Sequence, residues 1–315
     1  MDKRRPNLFR LFCTSFVIIL SIIAVDLVKR QLIPVTENII PKGCFKSGVS
    51  SPVLPVSPTS YKPVNFPNST PQNISDDQIY NGCLCLINSN YPAKGLESDL
   101  VSLSQVKNDM YSLENDTLMF NAQAAEKLNQ MMSDYNAATG LSNLVISRTT
   151  DYPSSVYTEQ YDEAVSGCSF DLAVSSSDGN VIPYDGTGTE SWITQNCSKY
   201  GFVLRFPADK ANTTKVPYSP YHFRYVGDVH AAIMTDGNMC LEEYLESLKM
   251  YSITGQPIKY SLNGINYLIF YVKKDYSSED PDLKFTALPV FSNSEYTISG
   301  NNSDGFIVTL INNTP

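Results

Sequence analysis

The chain contains two histidines, His222 and His230. A metal centre built on three imidazoles is therefore excluded. The pattern closest to a thiolate pair is Cys83-Leu84-Cys85, inside the apolar run CLCLI. An isolated CxC in an apolar strand reads as core, because free cysteine packs as a small hydrophobe. Of the seven cysteines, Cys13 lies within an N-terminal apolar run, and six lie outside it. In an oxidising setting disulfides are allowed, but the partners of Cys44, Cys168, Cys197 and Cys240 are open. Asn-x-Ser/Thr triplets at Asn68, Asn73, Asn115 and Asn212 arise by chance in an Asn- and Ser-rich chain.

Charge narrows the function further. The 23 Lys and Arg face 32 Asp and Glu, for a net charge of −9. No basic surplus exists to neutralise phosphates, which argues against nucleic acid as a partner. Twenty Tyr, 14 Phe and 19 Pro with a single Trp give the polar, loop-rich surface of an extracytoplasmic protein.

The elements that must position any site begin after two leading segments. Lys3, Arg4, Arg5 and Arg10 precede an apolar run from Leu11 to Val25, extended by Leu27, Val28 and the snorkelling Lys29 and Arg30. This pattern predicts a membrane anchor over residues 1–30, retained rather than cleaved, with the N-terminus in the cytoplasm. From 31 to 78, prolines at 34, 41, 52, 55, 58, 63, 67 and 71 break every period and predict a semi-extended stalk.

The folded part predicts strands at Cys83–Ile87, Leu144–Ser147, Cys168–Val174 and Gly201–Phe206. Helices are expected at 121–137, 190–200 and 241–249. Alternating segments at 258–262, 265–272, 285–290, 296–299 and 306–311, separated by turns such as Asn263-Gly264 and Asp304-Gly305, predict a small β module. The expected fold class is α+β, with a domain over 79–250 and a β domain over 251–315.

Three stretches carry a resemblance: SGCSFDLAV (166–174), WITQNCSKYGFVLRFPADK (192–210) and YSPYHFRYVG (218–227). They resemble the zinc D-alanyl-D-alanine carboxypeptidases of the vancomycin-resistance type. That family's pattern is S-x-H-x-x-G-x-x-x-D, then W…YGF-x-LR-[YF]-P, then E-P-W-H-x-RYVG. CLCLINSNYP, VHAAIM…LEEYLESL and the tail YTISGNNSDGFIVTL are similar to its flanking elements, so the resemblance spans about 80–315. It implies a Hedgehog/DD-peptidase-like domain with a central antiparallel sheet and a C-terminal β module.

In such enzymes a zinc ion held by His, Asp and His polarises the scissile carbonyl, and a Glu is the general base. The resemblance places the metal positions Asp171 and His222 on this chain. The first His falls on Ala164, the Glu on Ser219, and the Trp beside it on Tyr221. Arg148, in VISR, takes the position of the arginine that holds the substrate's terminal carboxylate. The family's helix after that arginine, carrying a Gln, is replaced by the shorter TTDYPSSVYTEQYDE. On an extended segment Glu163 and Cys168 would both face away from the ligand positions. His230 matches a non-ligand histidine, and Trp192, Arg224 and Tyr225 read as structural.

These residues imply a degenerate member, a membrane-anchored extracytoplasmic pseudoenzyme that binds a cell-wall stem peptide or an envelope protein without cutting it. No cofactor is expected on that reading. The alternatives are a surviving zinc carboxypeptidase that trims terminal D-Ala, and a purely structural interaction domain.

Overall fold

The computed structural model describes residues 69–94, 99–151, 162–253, 255–274, 285–291 and 295–312. The expected anchor and most of the stalk lie outside them. Among the described residues no helix is long and apolar enough to cross a membrane. The fold is mixed α/β, with antiparallel and mixed sheets.

In chain order the strands are β1 (Ser69–Ser75), β2 (Leu100–Ser102), β3 (Ser112–Leu113), β4 (Leu118–Asn121), β5 (Leu144–Arg148), β6 (Thr150–Asp151), β7 (Ser169–Ser175), β8 (Val181–Pro183), β9 (Phe202–Phe206), β10 (Ser219–Tyr225), β11 (Ile258–Leu262), β12 (Ile265–Lys273), β13 (Phe285–Phe291), β14 (Tyr296–Gly300) and β15 (Gly305–Asn312). The main helices are α1 (Ala122–Thr139), α2 (Asp228–Asp236) and α3 (Leu241–Leu248).

The site sits on a six-stranded sheet whose main path runs β3-β5-β7-β10-β9, with β8 pairing β7. Only the β3–β5 pair in it is parallel; its other pairs are antiparallel. Strand alternation divides its residues between two faces. Phe170 and Leu172 of β7, Phe223 and Tyr225 of β10, and Phe202 of β9 join the apolar core that includes Ala124, Leu128, Met131 and Met132 of α1. Phe170 and Phe223 are register partners and stack with ring centres 5.4 Å apart. The intervening residues Asp171, His222, Arg224 and Arg205 occupy the other face.

Helix α1 starts and stops where its ends are satisfied. The Asn121 side chain accepts from the N–H groups of Gln123 and Ala124, and Gly140 closes the helix in the left-handed region at φ +75°.

The C-terminal sheet has the order β11-β12-β15-β14. Asn263 and Gly264, at φ +61° and +77°, make the tight β11–β12 turn that this dipeptide favours. Ile258, Tyr267, Ile269, Ile307 and Ile311 share one core with Val226, Val229 and Met234, at and in α2, and with Leu241 and Leu245 of α3. The β module thus has its own topology and a shared core.

Segments outside the site also differ from the sequence expectation. Ser69–Ser75, read as the end of the stalk, is a strand paired along its length with β13. CLCLI is not a strand. Its backbone groups are taken one by one: the carbonyls of Cys83 and Cys85 accept from Arg224, Leu86 donates to the Asn301 carbonyl, and Asn302 donates to the Leu86 carbonyl. The run is apolar because it is buried, and burial needs no ladder when side chains satisfy the backbone.

Candidate functional site

Register sets the first pair of the site. His222 on β10 lies opposite Asp171 on β7, and Arg148 at the end of β5 lies opposite Asp171 from the other side. His222 Nδ1 is 2.5 Å from Asp171 Oδ1. Its other nitrogen, Nε2, is 3.4 Å from Glu163 Oε2, and its ring stacks on Phe206 at 5.1 Å. Both imidazole nitrogens therefore face carboxylates.

The position of Glu163 corrects the sequence expectation. Residues Glu163–Ser166 are a turn of 3-10 helix, not an extended segment, so the alternation rule does not apply. Asp162 caps this turn by accepting from the Ala164 N–H at 3.0 Å. Glu163 then points inward, where Arg205 Nε donates to its two oxygens at 2.9 and 3.0 Å. Arg224 Nη1 lies 3.0 Å from Oε1. The far end of Arg205 binds Glu242 of α3 in a two-pronged contact at 2.8 and 2.7 Å. Burial opposes the charge on Glu163, but Arg205 and Arg224 outweigh it and hold the carboxyl well below its usual range. For His222 burial again opposes charge, and Asp171 and Glu163 outweigh it, so its proton affinity rises.

The remaining positions are separate from this buried cluster. Ala164 is buried in the 3-10 turn with no donor to offer. Ser219, at the outer end of β10, donates to the Pro217 carbonyl at 3.2 Å. Tyr221 is exposed. Arg148 is half-exposed, ion-paired to Asp162 and 4.0 Å from Asp171 Oδ2. Cys168 is buried with its sulfur 3.9 Å from that of Cys83. His230 is buried, with its ring nitrogens against the hydroxyls of Tyr244 and Thr309. Arg205, Glu242 and Asp162 escaped the sequence reading. The signal for Arg205 was there: an arginine inside the apolar strand GFVLRF needs a buried partner.

A sequence profile described as VanY, D-alanyl-D-alanine carboxypeptidase, matches residues 112–228. A D-alanyl-D-alanine carboxypeptidase of Enterococcus faecium is 37% identical over 261 residues, covering 77% of this chain and 80% of that one. The chain belongs to the D-alanyl-D-alanine carboxypeptidase family. A bifunctional D-Ala-D-Ala dipeptidase and carboxypeptidase, VanXYC of Enterococcus gallinarum, is 36% identical over 103 residues, 29% of this chain and 53% of that one. Among solved structures, the vancomycin-resistance D,D-dipeptidase VanXYg, crystallised with a D-Ala-D-Ala phosphinate analogue, superposes with a TM-score of 0.64. That match is 23% identical and covers 78% of this chain and 99% of the other, and it speaks to fold.

The zinc that the carboxypeptidase family uses does not fit the side chains present here. Among the described residues no group of three His, Cys, Asp or Glu is placed to hold a metal ion. Glu163 does not take the place of the expected histidine: it faces His222 Nε2 while Asp171 faces Nδ1, so the two acids lie on opposite edges of the ring, and its oxygens are already held by two guanidinium groups. A metal on Glu163 would have to displace those arginines from a buried carboxylate, leaving Arg224 without its acid and Arg205 with Glu242 alone.

Proposed function

We propose that this family member is a pseudoenzyme: a carboxypeptidase-like domain that binds a peptidoglycan stem peptide, or an envelope protein, without hydrolysing it. One observation carries the reading. Ala164, the residue at the position expected for the third metal ligand, has no donor, and its neighbour Glu163 is held in ion pairs with Arg205 and Arg224. The general-base position adds to it, since Ser219 has no carboxylate to take a proton from water. Loss of a general base alone lowers a rate by about 10²–10⁴, and without the metal neither carbonyl polarisation nor water activation is supplied.

The metal positions Asp171 and His222 are, on this reading, vestigial. Arg148 and Tyr221 form the ligand side, with Arg148 as the clamp for a terminal carboxylate. On the same reading residues 1–30 anchor the protein as a single span, residues 31–68 of the expected 31–78 stalk tether it, and the folded part, from β1 at Ser69 through the β domain 251–315, stands outside the cytoplasm.

Elemental analysis of the purified folded part tests this, together with a D-Ala release assay on a pentapeptide. The expected outcome is far less than one zinc per chain and no release. Stoichiometric zinc lost on Asp171→Ala, with D-Ala release, would establish the zinc carboxypeptidase instead. The residue assignment has its own test. Ala164→His should raise zinc content, and adding Ser219→Glu should give detectable turnover. Because Ala164 is buried, the histidine costs about 1–3 kcal/mol of stability.

A further inference from the structure

We propose that Asp162 is a specificity-determining residue, an internal carboxylate that occupies Arg148 and that a ligand's terminal carboxylate has to displace. The inference rests on Arg148 being the carboxylate clamp proposed above. Arg148 Nη2 donates to Asp162 Oδ2, and Nη1 lies 4.0 Å from Asp171 Oδ2. The guanidinium therefore stands between two acids while remaining half-exposed. The second oxygens of both acids are engaged elsewhere: Asp162 Oδ1 accepts from the Ala164 N–H, and Asp171 Oδ1 faces His222 Nδ1. Neither acid is free to swing as a loose surface chain would.

Capping the 3-10 turn does not require a charge. One oxygen suffices for it, and Asn or Ser serves equally well at such a position. The second, ionised oxygen of Asp162 is spent on Arg148. A peptide carboxylate seeking the two-pronged contact that arginine offers meets Asp162 already there and Asp171 beside it. It must break the Asp162 contact and accept like charge nearby. An amide-ended or otherwise neutral ligand carries no such penalty. Asp162 thus lowers affinity for carboxylate-terminated peptides selectively, and an aspartate at this site narrows the preference that Arg148 would otherwise confer.

The experiment titrates the full-length protein with a tripeptide ending in D-Ala-D-Ala and with its C-terminal amide. It compares the unmodified protein, Asp162→Asn, Asp162→Ser and Arg148→Ala. Asn and Ser both keep a cap acceptor, and matching circular dichroism and melting curves show that the turn survives. The expected result is that both Asp162 variants bind the acid about two- to five-fold tighter, the scale of one half-exposed ion pair, with amide affinity unchanged. Arg148→Ala should lower acid affinity, and Asp162→Asn should then give no gain. If Arg148→Ala weakens the acid while both Asp162 variants leave it unaltered, the clamp stands and the competitor role is overturned. If no variant separates acid from amide, the clamp reading fails and takes this inference with it.

Discussion

The floor of the candidate site and the junction between α2 and the C-terminal sheet each bury one of the two histidines, and they treat it oppositely. His222 faces Asp171 and Glu163, which outweigh burial and raise its proton affinity. His230 faces the hydroxyls of Tyr244 and Thr309, at 2.7 and 3.1 Å, and burial pushes it down to about 3. Both are buried to a similar degree. The difference lies in the partners. A buried hydroxyl satisfies a neutral ring, whereas a buried carboxylate rewards a charged one. The site face of the sheet is therefore an ionic cluster built around Glu163, and the α2 junction is a neutral polar contact inside an apolar core.

The largest test of this contrast is Glu163→Gln. It leaves Arg205 and Arg224, both almost fully buried, short of a counter-charge. Breaking a buried pair this way costs about 3–5 kcal/mol, read from denaturant midpoints. A loss under about 1 kcal/mol would mean that the cluster is not held together by charge.

His230→Phe is the matching change in the neutral region. It strands the Tyr244 and Thr309 hydroxyls in a dry core and should cost about 1–3 kcal/mol, less than Glu163→Gln.

The same histidine gives a signed pH effect. Its folded value lies below the ordinary 6.5, so its contribution is present above pH 6.5 and is lost as pH falls toward about 3, because the unfolded chain takes up a proton that the native core refuses. His230→Gln should flatten the stability profile in that window. An unchanged slope in melting temperature between pH 6.5 and 4 would count against a neutral buried ring.

The smallest effect belongs to Arg148→Ala. Its pair with Asp162 is half-exposed, so stability should change by about 0–1 kcal/mol. A loss as large as that for Glu163→Gln would place Arg148 inside the buried cluster rather than at its rim.

Much of this molecule was readable from its residues. Helix α1 between the cap Asn121 and Gly140, strands β5, β7 and β9, helix α3, and the five C-terminal strands follow from period, caps and turn dipeptides, all of which act within a few residues. That Ala164 and Ser219 carry no imidazole or carboxylate was legible too, because side-chain identity is a property of the sequence. The tertiary structure decided where the charges went. Glu163 turns inward only because a 3-10 turn replaces an extended segment, and Arg205 meets Glu163 and Glu242 across 42 and 37 positions of sequence. CLCLI forgoes a strand because Arg224, Asn301 and Asn302 reach its backbone from far along the chain. Those pairings depend on register between distant strands, and a local pattern holds no record of which remote side chain will satisfy a buried group.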